Sequence, residues 1–410
     1  MFLSSRAADA VRAFINFYLV PKHVPQDELG AVLPLVSFAT TLSLAAYIFA
    51  LTFMKEVNHL ACNREFGRLK TLLRGVFTVI AALTALAALV AVLVLPWFLE
   101  RIRVTGTLLG ALVVVSAFLG CTEPIFTNAL NALKKFKTLS LIQLLGAPVR
   151  LAVMLAVMPA RALAGYFAGK SSAPVFSMVA ALFALRRELS VPAEPYWTRP
   201  AVHRLSRLFL GMAAYLLPSM LSVLCEQTVL REQLASVDSA AYYMATRFSD
   251  ISIVIAFTFL TVLFPYTAEL AEQGRPTRPL VLKASLVLSL IGVALTVFFV
   301  FYGEPLMAML PNGDTYRSYA GMIPSLIFIN LCGSIQTFYT NTEVSAARFG
   351  FLKWWLPFHL IAPAVLIALS HLGLLASIRA FLGYFALTSL MRLIFSALPN
   401  RAQNAPSQSD

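Results

Sequence analysis

The chain alternates long apolar runs with short polar breaks, and the length of the runs identifies them. Crossing a hydrocarbon core about 30 Å thick takes about 20 residues of helix. Eleven runs meet that requirement: 30–54, 75–99, 104–133, 139–159, 163–185, 205–230, 239–268, 281–302, 320–342, 351–370 and 373–396. A twelfth, 3–20, is short, begins almost at Met1 and carries Arg6, Asp9 and Arg12. Its arginines interrupt the apolar stretch and no small-residue cleavage site precedes Pro21, so it reads as a first helix and not as a cleaved signal peptide. The pattern predicts an all-α polytopic membrane protein of about twelve transmembrane helices.

Composition agrees with lipid as the solvent. Hydrophobic residues make up 59% of the 410 and charged residues 12%, more apolar surface than a water-soluble fold can hide. The formal net charge of +13 is unevenly placed. Arg6, Arg12, the stretch Lys55 to Arg74, the cluster Lys134, Lys135 and Lys137, the stretch Arg186 to Arg207, the stretch Arg275 to Lys283, Arg348, Lys353, Arg392 and Arg401 fall on one side of the threading. The other side keeps Lys22, Arg101, Arg103, Arg161, Lys170, Arg231, Arg317 and Arg379. The positive-inside rule then places both termini in the cytoplasm, in a multi-pass protein of the inner membrane. Contact of the basic loops with membrane lipids accounts for the charge, and no nucleic acid is implied. Cys62, Cys121, Cys225 and Cys332 are far apart and form neither a disulfide framework nor a zinc site.

One polar, proline-rich break, residues 188–203 with Pro192, Pro195 and Pro200, lies near the middle. It divides the chain into an N-terminal six-helix lobe (1–187) and a C-terminal one (204–398), followed by a short polar tail (399–410) expected to be disordered. The halves echo each other. Phe126-Thr127-Asn128 followed by Phe136 matches Tyr339-Thr340-Asn341 followed by Phe349 at a constant offset, near the ends of the fourth and tenth helices. More weakly, Asp27 and Gly30 align with Asp238 and Ala241. An even number of helices per half relates the halves by an axis along the membrane normal, with a cleft between them.

Charges inside the runs carry the candidate chemistry, because each costs at least about 2.5–3.5 kcal/mol at mid-membrane unless it has a partner or a watery cavity. They are Arg6, Asp9 and Arg12 in the first helix, Glu123 in the fourth, Arg150 in the fifth, Glu226 in the seventh, Arg247 and Asp250 in the eighth, and Glu343 at the end of the tenth. Glu123 and Arg150 lie at similar depth, roughly 15–18 Å from the cytoplasmic ends of consecutive helices, and are expected either to pair or to face a cavity. Arg247 and Asp250, three residues apart, are expected to neutralise each other. Glu226 lacks an opposite charge on its own helix, and Arg247 is its expected partner across helices. In the first helix Asp9 can reach both arginines, which leaves one positive charge over. An uncompensated arginine suits a phosphate, since its planar fork makes bidentate charge-assisted bonds. His359 reads as a packing histidine.

No Walker loop, GxSxG, metal-ligand spacing or paired-carboxylate motif occurs in the required context, so neither an enzyme nor a cofactor is expected. The stretch Glu226 to Glu269, with Asp238-Ser239-Ala240-Ala241-Tyr242-Tyr243-Met244-Ala245 and Leu263-Phe264-Pro265, resembles the polysaccharide flippases of the multidrug/oligosaccharidyl-lipid/polysaccharide (MOP) exporter superfamily. Ala241 stands where that family has glycine, and Glu226 where it has aspartate. The Gly30 start of the second helix and the basic loop after it are also similar. Ser5-Arg6 with Arg12 is similar to the first helix of the lipid II flippases, a branch of the same superfamily.

That resemblance implies two six-helix lobes of MATE-like fold that alternate between inward-open and outward-open states. It also implies a cargo: an oligosaccharide or cell-envelope precursor linked to undecaprenyl pyrophosphate, with polysaccharide-assembly membrane proteins as partners. It carries Arg6 and Arg12 over as pyrophosphate ligands, with Arg247 as a third; Asp9 partly neutralises the first two. A cation-coupled multidrug exporter of the same fold is the rival reading, with Asp9 and Glu226 as its available acids. A membrane glycosyltransferase or polymer ligase is a further one, for which the loop 303–319 offers Glu304, Asp314 and Arg317.

Overall fold

A computed structural model describes residues 2–197, 199–273, 275–345 and 349–397. The polar tail lies outside the described residues, as do the side chains of some helical positions, Arg6 among them. The elements are helical. α1 (Phe2–Phe14) runs through a π-helical turn (Ile15–Leu19) into Val20–His23. There follow α2 (Val32–Cys62), α3 (Phe66–Arg101), α4 (Thr107–Ala132), α5 (Phe136–Leu185), α6 (Arg199–Gln233), α7 (Ser236–Glu272), α8 (Arg278–Ala308), α9 (Met322–Ser345), α10 (Leu352–His371) and α11 (Ile378–Ala397).

Among the described residues, ten helical segments are long and apolar enough to cross a membrane. One of them, the 50-residue α5, is a hairpin. Its backbone leaves helical geometry at Arg161 (φ −142°, ψ 40°) and Ala162 (φ 10°, ψ −102°), and Gly165 then lies against Met158 with room for no side chain: a Cβ there would be 2.6 Å from the Met158 Cα. Ser177 lies across from Gly146 in the same antiparallel register. The two arms are the runs 139–159 and 163–185 expected as separate spans. With this hairpin counted as two crossings and α1 added, the all-α polytopic membrane fold is that expected from the runs. Outward faces are apolar as lipid requires; Leu93 on α3 is 76% exposed and Phe301 on α8 is 72% exposed.

Several helices end on a residue in left-handed conformation, as a Schellman cap requires, and three of these residues are arginine or lysine. Arg64 (φ 59°), Arg103 (φ 59°) and Lys134 (φ 55°) follow α2, α3 and α4. The amides of Glu65, Val104 and Lys135 reach back to Leu60, Leu99 and Leu130 at 3.0, 3.0 and 2.9 Å. A cation at a helix C-terminus also complements the helix dipole, so part of the basic loop charge serves to end helices.

Backbone packing divides the chain into two compact units, Met1–Ala240 and Ala241–Asp410. In the first, α2 packs on α3, α4 and α6, α4 packs on α5, and α1 lies along α5. Phe53, Leu72, Val76, Ile80, Ile125, Leu130, Ile142 and Ala181 form its core. The proline-rich break is an ordered strap across the start of α3. Glu194 donates its amide to the Gly67 carbonyl (3.2 Å), Lys70 reaches the Val191 carbonyl (2.8 Å), and Lys135 pairs with Glu188 (2.7 Å).

At the opposite end of this unit sits Arg231, 1% exposed. Its guanidinium donates to the carbonyl of Ile102 (3.1 Å), to the hydroxyl of Ser239 (2.7 Å) and to the carbonyl of Asp27, tying two connecting segments to the first turn of α7. Gly30 lies so close to Ser239 that a Cβ there would sit 2.2 Å from the hydroxyl oxygen.

In the second unit α8 packs on α9, and α11 packs on α9 and α10. Ala256, Leu263, Val281, Leu288 and Phe338 form an apolar cluster, and Asn330 donates to Ser249 (3.1 Å). His359 donates through Nδ1 to the Trp355 carbonyl (2.9 Å) and stacks on that ring (4.0 Å), a packing role. Thr127 on α4 and Thr340 on α9, the echoed threonines, both bond the carbonyls one turn back, of Glu123 (3.1 Å) and Gln336 (3.2 Å).

Candidate functional site

Most of the charges inside the first unit lie on α1, α4 and α5. On α1, Arg12 pairs with Asp9 at 3.4 Å, as their spacing predicts, and both side chains are well exposed. The π-helical turn just beyond them shifts the register of the helix, a device often found at functional sites. On α4, Glu123 precedes Pro124, whose missing amide leaves the Gly120 carbonyl without its helical donor. The half-buried Glu123 carboxylate accepts the hydroxyl of Ser177 from the second arm of α5 and feels the charge of Arg12.

The expected Glu123–Arg150 pair is not formed among the described residues. Arg150 points instead to the second arm of its own hairpin, with its guanidinium 6.0 Å from the Tyr166 ring. Its Nε is buried and meets no hydrogen-bond acceptor among the described residues. One turn along from Tyr166, Lys170 places its ammonium 5.6 Å from the Phe167 ring, close enough to Arg150 for the two cations to interact. The tight arm-to-arm contact at Gly169, where a Cβ would lie 3.1 Å from the Arg150 carbonyl, brings these side chains to one level. The sequence reading set Lys170 aside as an outer-loop charge. The overlooked signal was its position, seven residues inside the run 163–185.

Arg12 has Asp9 at contact and Glu123 within its field. Of the two readings open for Arg150, a pair with Glu123 or a place facing a cavity, the pair is not formed among the described residues, and Arg150 stands beside a second cation. Lysine and arginine at this depth each cost at least about 2.5–3.5 kcal/mol, and a like-charged neighbour adds to that.

Of the remaining candidates, the side chain of Arg6 lies outside the described residues. Glu226 accepts the hydroxyl of Ser222 one turn earlier on α6 (3.1 Å). In the second unit Arg247 and Asp250 pair at 3.1 Å, as expected from their spacing, and the guanidinium lies 4.9 Å from the Tyr243 ring.

No protein-family model matches the chain. No curated protein matches it either. Solved structures do. The chain is similar to an inward-facing multidrug resistance MATE family transporter of the MOP superfamily at 11% identity and TM-score 0.66, over 96% of this chain and 91% of that one. A MOP superfamily transporter from Pyrococcus furiosus, described as having a binding pocket of reversed polarity that suggests a different function, matches at 13% identity and TM-score 0.65, over 96% and 92%. The Vibrio cholerae MATE transporter VcmN, as a point variant, matches at 15% identity and TM-score 0.63, over 97% and 96%. The fold is therefore that of the MATE-type transporters, along nearly the whole chain.

Proposed function

We propose that this multi-pass membrane protein is an exporter of the MOP type that works by alternating access and carries an oligosaccharide linked to a lipid pyrophosphate. Its lobes are 1–187 and 204–398, and both termini are cytoplasmic. The observation that carries the reading is the local excess of positive charge on the α5 hairpin of the first unit, where the half-buried Arg150 and Lys170 lie close enough to interact. An anionic headgroup balances that excess, and an organic cation adds to it. The MATE-type fold supports the alternating-access part, and the reversed pocket polarity described for the Pyrococcus furiosus transporter agrees with a fold that accommodates more than one kind of cargo.

A cation-coupled multidrug exporter is the second reading. It is favoured by Glu123, a carboxylate held inside the first unit by Ser177, and by the multidrug transporters among the similar structures. Reconstitution in liposomes separates the two. Translocation of a polyprenyl-diphosphate-linked sugar, without efflux of an organic cation, is the expected result; cation efflux without sugar translocation overturns the flippase reading. The Arg12→Ala variant, measured alongside, reports whether α1 contributes to cargo binding.

A further inference from the structure

We propose that Arg150 and Lys170 form an oxyanion site on the α5 hairpin, one that receives the diphosphate of the lipid-linked cargo; the assignment rests on the exporter reading above. Three observations carry it. Both cations are half-buried and lie well inside their arms, eleven and eight residues from the reversal at Ala162–Arg161, or roughly 17 and 12 Å along the helix axis. From there neither side chain reaches the end of its helix, so neither escapes lipid by lying along the surface. Among the described residues neither meets a carboxylate, and the buried Nε of Arg150 has no acceptor at all.

The surroundings are those of a binding site and not of a structural ion pair. Tyr166 and Phe167, ring centroids 5.2 Å apart, stand beside Arg150 and Lys170 respectively. A fork of N–H donors next to a point charge is the combination that recognises phosphate: the guanidinium binds two oxygens in its plane and the ammonium takes a third from any direction. A diphosphate carries enough oxygens and charge to satisfy both at once. A single carboxylate does not.

The test uses the full chain purified in detergent. Binding of inorganic pyrophosphate and of a short-chain polyprenyl diphosphate is followed by calorimetry and by thermal unfolding. The wild type is expected to bind both, the polyprenyl form more tightly. Lys170→Met and Arg150→Gln are each expected to weaken binding roughly 10- to 100-fold, the loss of a charge-assisted contact. Lys170→Arg is expected to keep most of the affinity. Lys170→Met should also raise the melting temperature of the unliganded protein by relieving cation repulsion, a direction that loss of a packing contact does not give. Absence of diphosphate binding to the wild type, or unchanged binding in both neutral variants, overturns the site. Equal affinity for the two probes overturns the lipid-linked source. Failure of the wild type to translocate a lipid-linked sugar, with diphosphate binding intact and sensitive to the variants, overturns the exporter reading and leaves the site standing. Full translocation by Lys170→Met does the reverse.

Discussion

Replacing Arg231 by methionine tests whether one buried cation holds an end of the first unit together. The side chain is 1% exposed and donates to two backbone carbonyls and a hydroxyl, of Ile102, Asp27 and Ser239. Hydrogen bonds from a charged donor contribute about 1.5–3 kcal/mol each, so the three together reach roughly 4.5–9 kcal/mol gross. Against this stands the cost of burying the guanidinium, several kcal/mol, which methionine does not bear. Methionine also regains about 1.5–3 kcal/mol of apolar burial but strands three acceptors. The balance is a net loss of about 3 kcal/mol, read as a fall of about 5–10 °C in melting temperature. Ser239→Ala removes one acceptor and is expected to lose about half as much. The double variant should fall short of the sum by at least about 1 kcal/mol, because once the arginine is gone the hydroxyl no longer bonds it. Thermal unfolding in detergent measures all three. An Arg231→Met protein as stable as the wild type, or strict additivity with Ser239→Ala, would refute the clamp.

Other outcomes follow from single contacts. Gly165→Ala is expected to lower the melting temperature sharply, by an equivalent of about 2–3 kcal/mol or more, since its Cβ meets Met158 backbone atoms at 2.6 Å; Gly383→Ala, where a Cβ meets nothing within 4 Å, should be neutral or slightly stabilising. Tyr316 lies between α8 and α9, and burial pushes its phenol from 10.0 up to about 12. Folding favours the neutral form, so this contribution is complete below about pH 10 and is lost as pH rises through about 12. Among the described residues the phenol oxygen has no hydrogen-bond partner, so Tyr316→Phe should leave neutral-pH stability unchanged or higher and abolish this alkaline step in a pH series of melting temperatures. Glu123→Gln keeps an oxygen to accept the Ser177 hydroxyl. Under the anionic-cargo reading it lowers sugar translocation in liposomes at most a few-fold, whereas abolished transport favours the multidrug reading.

The residues that were legible in advance and those that were not differ in one physical respect. A membrane crossing announces itself by length, so every apolar run has its helix, and even the gap between the runs ending at 159 and starting at 163 coincides with the reversal at Arg161 and Ala162. Ion pairs within one helix were legible for a similar reason. At a spacing of three the partners share a face whatever the helix does, and Asp9 with Arg12 and Arg247 with Asp250 both close. Pairs between helices need the rotation of each helix about its own axis. A water-soluble helix reveals that rotation through its polar face, but a lipid-facing helix is apolar nearly all round. Equal depth therefore made Glu123 and Arg150 look like partners, when the hairpin register turns Arg150 toward Tyr166 and leaves Glu123 to Ser177. Arg231 escaped notice because two of its three acceptors are main-chain carbonyls, which leave no mark in a sequence. In a chain like this one the partner of an intramembrane charge is thus a property of helix rotation, and it is the register of the two α5 arms that sets Arg150 beside Lys170.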